Sequence, residues 1–136
     1  MQNEELNPDS PASKPVRDID ARTFELALRI VRSCKSLMEK PGVSRTIGNQ
    51  LLRSGTSIGA NVEEAQAGQS RADFLCKMCI ALKEAREARY WIRILAGAEI
   101  VKPELLAPIA DEINQVTNIL GAIVRSTRRR AKGAIS

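Results

Sequence analysis

Apolar side chains recur at alternating steps of three and four along four stretches of the chain. This is the period of a helix that buries one face. The third stretch has the most regular stripe, formed by Phe74, Met78, Ala81, Ala85, Ala88, Ile92 and Leu95. No stretch alternates apolar and polar residues in the way of a β-strand. The pattern therefore predicts four helices, at about residues 20–40, 44–67, 71–97 and 103–127.

Capping and helix-breaking residues agree with these boundaries. Ser44 is placed to cap the second helix and Ser70 the third, and Gly97 ends the third helix. The fourth helix begins at Pro103 or, alternatively, at Pro108, which would otherwise kink it. Because the loops are short, we expect consecutive helices to be antiparallel neighbours.

The fold predicted from these elements is all-α, an up-down-up-down antiparallel four-helix bundle over residues 20–127. Residues 1–19 hold three prolines among polar and acidic residues, and we expect them to form a disordered tail. Residues 128–136 are expected to form a basic C-terminal tail.

The apolar faces of two helices are wider than one isolated bundle needs. The inner stripe assigned to the first helix consists of Phe24, Ala27, Val31, Cys34 and Met38. The same helix carries a second stripe, made of Leu26, Ile30 and Leu37, and the third helix has apolar flanks on both sides of its stripe. Surplus apolar surface on a small domain is typical of a partner surface, so we expect a homo-oligomer. The alternative is a closely packed monomer whose flanking residues are half-buried.

Gly55 and Gly59 lie one turn apart on one face of the second helix. A glycine inside a helix costs about 1 kcal/mol relative to alanine, so the pair calls for a physical reason. A phosphate-binding loop would need a preceding strand and a following Gly-Lys-Ser/Thr, and neither is present. We therefore interpret the two glycines as positions where a neighbouring helix approaches closely.

Composition restricts the chemistry further, because the 136 residues include no histidine. This excludes Ser-His-Asp and Cys-His catalysis and removes the usual ligands of zinc enzymes. Three cysteines are too few for a disulfide framework, and no uncharged apolar run approaches the roughly 18 residues of a membrane span. The acidic start of the chain is also unlike a signal peptide. We expect a cytoplasmic protein with no enzymatic activity, metal or cofactor.

The net charge of +5 is concentrated at the C-terminus, since residues 1–20 carry −3 and residues 125–136 carry +5. The cationic side chains of this end are Arg125, Arg128, Arg129, Arg130 and Lys132. Such a cluster is typical of binding to the phosphate backbone of RNA or DNA, and the alternative is a tail that serves solubility alone. We expect Phe24 and Phe74 to lie in the core, so base stacking on aromatic side chains should make no contribution.

A line of polar residues beside the apolar stripes of helices two and three consists of Ser57, Asn61, Glu64 and Glu87. We interpret it as a structural network, paired with Arg86 or Arg89, that fixes the register of the two helices or links subunits. The alternative is a metal or acid–base site built on the carboxylates.

The Cys76-x-x-Cys79 pair lies inside the third helix, and Cys34 is elsewhere. A redox motif would need a strand before the first cysteine, and a structural zinc site would need four ligands. We interpret the cysteines as packing residues.

The second and third helices carry residues that resemble a known signature. Residues 51–65, LLRSGTSIGANVEEA, are similar to the Ser-Ile-x-x-Asn-Ile-x-Glu-Gly motif of the bacterial proteins of 23S ribosomal RNA intervening sequences. Further positions that agree with this family are Ser70, Phe74, Ile80, Ala81 and Glu87. Val62 and Ala65 replace the usual isoleucine and glycine, and Lys83-Glu84 stands where many members have Gly-Ser.

The resemblance implies a four-helix bundle that assembles as a ring-like homopentamer, with no assigned activity. A related protein, the accessory variability determinant of diversity-generating retroelements, is a basic pentamer that binds nucleic acid. Together with the basic C-terminus, this predicts a non-enzymatic homo-oligomer that binds structured RNA or DNA. The alternative is a protein–protein interaction scaffold with no affinity for nucleic acid.

Overall fold

The computed structural model describes residues 13–135, and this part of the chain contains four helices and no strand. The helices are α1 (Ser13–Leu37), α2 (Val43–Gln66), α3 (Arg71–Gly97) and α4 (Pro103–Ile135). Each helix packs against its neighbours in sequence, and α4 closes the arrangement by packing on α1. The all-α four-helix prediction is therefore confirmed. None of the described helices is long and apolar enough to span a membrane.

Pairs of contacts show that α1 runs antiparallel to α2 and that α2 runs antiparallel to α3. Along α2, Gly48 lies against Leu37 of α1 and Gly59 lies against Thr23. Residue numbers therefore rise along α2 as they fall along α1. The α2–α3 pair repeats this order, because Glu64 pairs with Lys77 at one end and Arg53 reaches Glu87 further along. Between α4 and α1, Arg22 donates to Glu112 at 2.7 Å.

The helix ends agree with the sequence in some places and differ in others. The hydroxyl of Ser70 accepts a hydrogen bond from the Asp73 amide at 3.0 Å, which confirms it as the cap of α3. Ser44 does not cap α2: the capping position is Gly42, whose φ of 116° favours glycine. Between α3 and α4 the chain reverses at Glu99, with φ 58°, and α4 begins at Pro103 and contains Pro108.

The outer two helices are longer than the sequence predicted. Residues 1–12 and 136 lie outside the described residues, and with them most of the N-terminal tail and the last residue of the C-terminal tail. Residues 13–19 form the first turns of α1, where Pro15 is tolerated because the first amides of a helix have no intrahelical partner. Residues 128–135 continue α4, since arginine is a good helix former and cations stabilise a helix C-terminus.

The inner face of α1 is not the one expected. Leu26 and Ile30 are fully buried, whereas Phe24 is 60% exposed and Val31 is 40% exposed. The stripe expected to be surplus is therefore the core. Of the stripe expected to be core, Cys34 is buried, Ala27 and Met38 are half-buried, and Phe24 and Val31 lie at the surface. The reason lies on α2, where the absence of a side chain at Gly55 makes room for Ile30.

Gly55 and Gly59 of α2 confirm the close-packing interpretation. A Cβ atom built on Gly55 would lie 2.5 Å from Cδ1 and 3.0 Å from Cγ2 of Ile30. A Cβ atom on Gly59 would lie 3.1 Å from the backbone oxygen of Thr23. Helices α1 and α2 therefore contact each other at the glycine positions of α2. A groove runs along the outside of this helix pair.

Candidate nucleic-acid interface

Helix α4 places most of the predicted cationic residues on one face. Arg125, Arg128, Arg129 and Lys132 follow one another at steps of three, one and three, which keeps them on the same side of a helix, and all four are exposed. Arg130 points to a different side, where its Nη2 atom lies 3.3 Å from Oγ of Ser126. The four residues that share a side are called the basic face below.

The basic face lies on a segment of α4 that contains no acidic residue. The last acidic residue of α4 is Glu112, so residues 113–135 carry no carboxylate side chain. Within the part of the chain that the structure describes, Arg125, Arg128 and Arg129 form no ion pair. These guanidinium groups keep their charge available to an anion from outside.

Neighbouring groups hold the basic face in place. The guanidinium of Arg128 lies 3.4 Å from Sγ of Cys79 on α3, and Nη1 of Arg125 lies over Gly121. The side chain of Arg71, at the start of α3, donates to the backbone oxygen of Arg130 at 3.4 Å. Arg128, Arg129 and Lys132, which were predicted to lie on a C-terminal tail, are therefore presented by a helix that is anchored to α3.

The predicted polar network is only partly brought together. Ser57 and Asn61 bond to the backbone of their own helix: the Ser57 hydroxyl donates to the Arg53 oxygen at 2.7 Å, and the Asn61 amide donates to the Ser57 oxygen at 2.8 Å. Glu64 instead crosses to α3, where Nζ of Lys77 lies 3.0 Å from its carboxylate. Within the described chain, the Asn61 side chain therefore bonds to the backbone of α2 and does not link α2 to α3.

Arg53 is the centre of the polar contacts between α2 and α3, although it was not among the residues predicted to form the polar network. Its guanidinium pairs with Glu87 and, at 3.3 Å, with Glu84. Glu87 also accepts a hydrogen bond of 3.0 Å from the indole nitrogen of Trp91. The expected partners of Glu87, Arg86 and Arg89, do not pair with it. Arg53 lies one turn before Ser57 on the same polar line, so extending that line would have found it.

The pairing of Glu87 makes a prediction about acid stability. The hydrogen bond from Arg53, and after it the one from Trp91, holds the pKa of the Glu87 carboxyl below its usual value. A lowered folded-state pKa stabilises the fold above the unfolded-state pKa, and this contribution is lost as the pH falls through the folded-state pKa. We expect Glu87→Gln to lower the melting temperature by roughly 3 °C at pH 7 and to have no effect at strongly acidic pH.

The control for this experiment is Glu25→Gln, which changes an exposed carboxylate of α1 that has no ion-pair partner in the described chain. Its melting temperature should match that of the parent at each pH. A Glu87→Gln deficit that persists unchanged into strong acid would show that the lost interaction is not ionic.

The three cysteines differ in their surroundings. Cys34 is buried, and burial raises the pKa of its thiol to about 11. Cys79 is half-buried against the core, as expected of a packing residue, whereas Cys76 is exposed and the packing interpretation is wrong for it. Among the residues that the structure describes, no group of three or more Cys, Asp or Glu side chains could hold a metal ion.

Comparisons with known proteins connect this fold to a family. The family model of the 23S rRNA-intervening sequence protein matches residues 18–122. A crystal structure from Bacteroides thetaiotaomicron, of a protein with unknown function from the S23 ribosomal protein family, is 39% identical and superposes with a TM-score of 0.76. The similarity covers 82% of this chain and 98% of that one. No protein of curated function matches the chain significantly. The match over most of the bundle shows that the chain belongs to the 23S rRNA-intervening sequence protein family.

Proposed function

We propose that this protein is a cytoplasmic, non-enzymatic homo-oligomer that binds the phosphate backbone of structured RNA or DNA through the basic face of α4. The observation that carries the proposal is the presence of four exposed cations on one side of a helix segment that has no acid. Phosphate contacts of this kind release counterions from the nucleic acid, which is a favourable and strongly salt-dependent contribution to binding.

The chemistry of the basic face indicates how the nucleic acid is recognised. Helix α4 contains no aromatic residue, so the face offers no ring on which a base could stack. Arginine forks suit the two oxygens of a phosphate group. Binding should therefore follow the backbone and depend little on base sequence. The names of the family and of the structural neighbour refer to ribosomal RNA and to a ribosomal protein, which is in keeping with RNA as the polyanion.

Self-association is the second part of the proposal. Two aromatic side chains on different helices, Phe24 and Tyr90, are 60% and 51% exposed. Exposed aromatic side chains on the surface of a small domain favour contact with another protein subunit. The family resemblance implies a ring of five subunits. A ring would present several basic faces at once and increase the avidity for a long polyanion.

The proposal is tested by fluorescence anisotropy of a labelled RNA hairpin and a labelled DNA duplex titrated with the full chain. At about 50 mM salt we expect both to bind, with similar affinities for hairpins of different loop sequence, because the contacts are to phosphates. If neither probe binds at this salt concentration, the nucleic-acid proposal is wrong. The protein should then be studied as a scaffold that docks a partner protein.

A further inference from the structure

Two surfaces of the bundle each expose an aromatic side chain. The first is a groove between α1 and α2, lined by Asp20, Phe24, Ala27, Thr56, Gly59, Ala60 and Glu63. The second is centred on Tyr90, on the outside of α3. The Tyr90 ring lies edge-on to the Trp91 ring, and the two ring centroids are 5.2 Å apart. We refer to them as the Phe24 groove and the Tyr90 patch.

The two surfaces carry opposite charges. The Phe24 groove is lined by two carboxylates, Asp20 and Glu63, and by no cation. Tyr90 is flanked on its own helix by Arg86, four residues before it, and by Arg93, three residues after it. Among the described residues, none of these four charged side chains takes part in an ion pair. The carboxylate nearest to Tyr90 on α3, that of Glu87, is already paired with Arg53. Each surface thus combines an apolar centre with unpaired charge of one sign.

From this complementarity we infer that the Tyr90 patch of one subunit docks into the Phe24 groove of a second copy of this chain. The Tyr90 ring packs against Phe24 and the glycine backbone of α2, while Arg86 and Arg93 face Asp20 and Glu63. Burying an aromatic anchor between charge-matched rims is the usual composition of a specific interface. The inference rests on the proposed self-association and identifies the surfaces that carry it.

The charges also determine the symmetry of the contact. If two Phe24 grooves met each other, the carboxylates of both would be brought together, and two Tyr90 patches would bring four arginines together. Like charges placed against each other oppose both of these symmetric pairings. The favoured contact joins different surfaces of the two subunits, and a head-to-tail contact of this type produces a closed ring when its rotation closes.

The test uses two single variants, Phe24→Asp and Tyr90→Asp, each of which damages one of the two surfaces and leaves the other intact. Both residues are largely exposed, so we expect the fold to be retained, and circular dichroism checks this. By light scattering at about 100 µM, the parent should form an oligomer, and each variant alone should have the mass of a single chain, 14.9 kDa. An equimolar mixture should give a dimer of twice that mass, because one undamaged pair of surfaces remains.

Val43→Asp is the matched control, since Val43 is 67% exposed but belongs to neither surface, and it should remain an oligomer. A parent that forms an oligomer unaffected by Phe24→Asp or Tyr90→Asp would contradict this interface and leave self-association intact. A mixture that stays monomeric would also contradict the head-to-tail contact. A monomeric parent would overturn both the interface and the proposed self-association.

Discussion

Gly55→Leu should destabilise the bundle by at least about 2 kcal/mol, although leucine is the better helix former by about 1 kcal/mol. A Cβ atom built at this position would lie 2.5 Å from Cδ1 of Ile30, and the Ile30 side chain is fully buried. The remaining leucine atoms would have to separate α1 from α2. Urea unfolding followed by the fluorescence of Trp91, the only tryptophan, measures the change.

Gly97→Leu is the matched control for this prediction. Gly97 is also a helical glycine, but a Cβ atom built on it meets nothing within 4 Å. The same substitution should therefore leave the free energy of unfolding unchanged or slightly raised. If Gly55→Leu were as stable as Gly97→Leu, the close contact between α1 and α2 would not be what fixes their packing.

Replacing Arg125, Arg128, Arg129 and Lys132 by alanine should weaken nucleic-acid binding by roughly a hundredfold at about 100 mM salt. The four changes remove all the cations of the basic face, while the side chains they affect are exposed and make few contacts with the core. Circular dichroism should therefore report an unchanged fold. Anisotropy titration of the RNA hairpin gives the affinity.

A control variant that loses the same charge elsewhere shows whether the affinity for nucleic acid depends on the basic face or on the net charge of the protein. The control replaces four exposed cations outside the basic face, Arg32, Lys35, Lys40 and Lys102, by alanine. We expect its affinity to fall only slightly, because these residues are not gathered on one side of a single helix. Equal losses in the two variants would mean that net charge, and not the basic face, attracts the polyanion.

The boundaries of α3 could be predicted from the sequence because local interactions determine them. The Ser70 hydroxyl caps a nearby amide, and the apolar stripe that follows has a single regular period. The fold class followed from the same periodicity in all four helices, and the family resemblance in α2 was confirmed by the comparison.

The inner face of α1 could not be predicted in the same way. Its two apolar stripes satisfy the helical period equally well, and the choice between them is made by Gly55 and Gly59 on another helix. Only the pairing of α1 with α2 shows that Ile30 fits over Gly55. As a result Phe24, expected in the core, became available for the interface inferred above.

The candidate nucleic-acid site was predicted as a set of residues but not as a surface. A run of arginines near a chain end gives no periodic apolar signal, so the sequence suggested a tail after residue 127. The buried Thr127 and the contact between Arg128 and Cys79 extend the helix along α3. The helix thus continues because of contacts with another helix. Its continuation places Arg130 on a different side of α4 from the other four cations.

The salt dependence of binding to the DNA duplex between about 50 and 200 mM tests directly whether the basic face contacts phosphates. Each basic face that makes four phosphate contacts contributes about −3.6 to the slope of the logarithm of the association constant against the logarithm of salt concentration. One engaged face therefore predicts a roughly hundredfold loss of affinity over this range, and further faces of an oligomer make the slope steeper. In the variant that lacks the four cations, the slope should approach zero. A slope that is equally steep with and without the basic face would show that these four cations do not make the phosphate contacts.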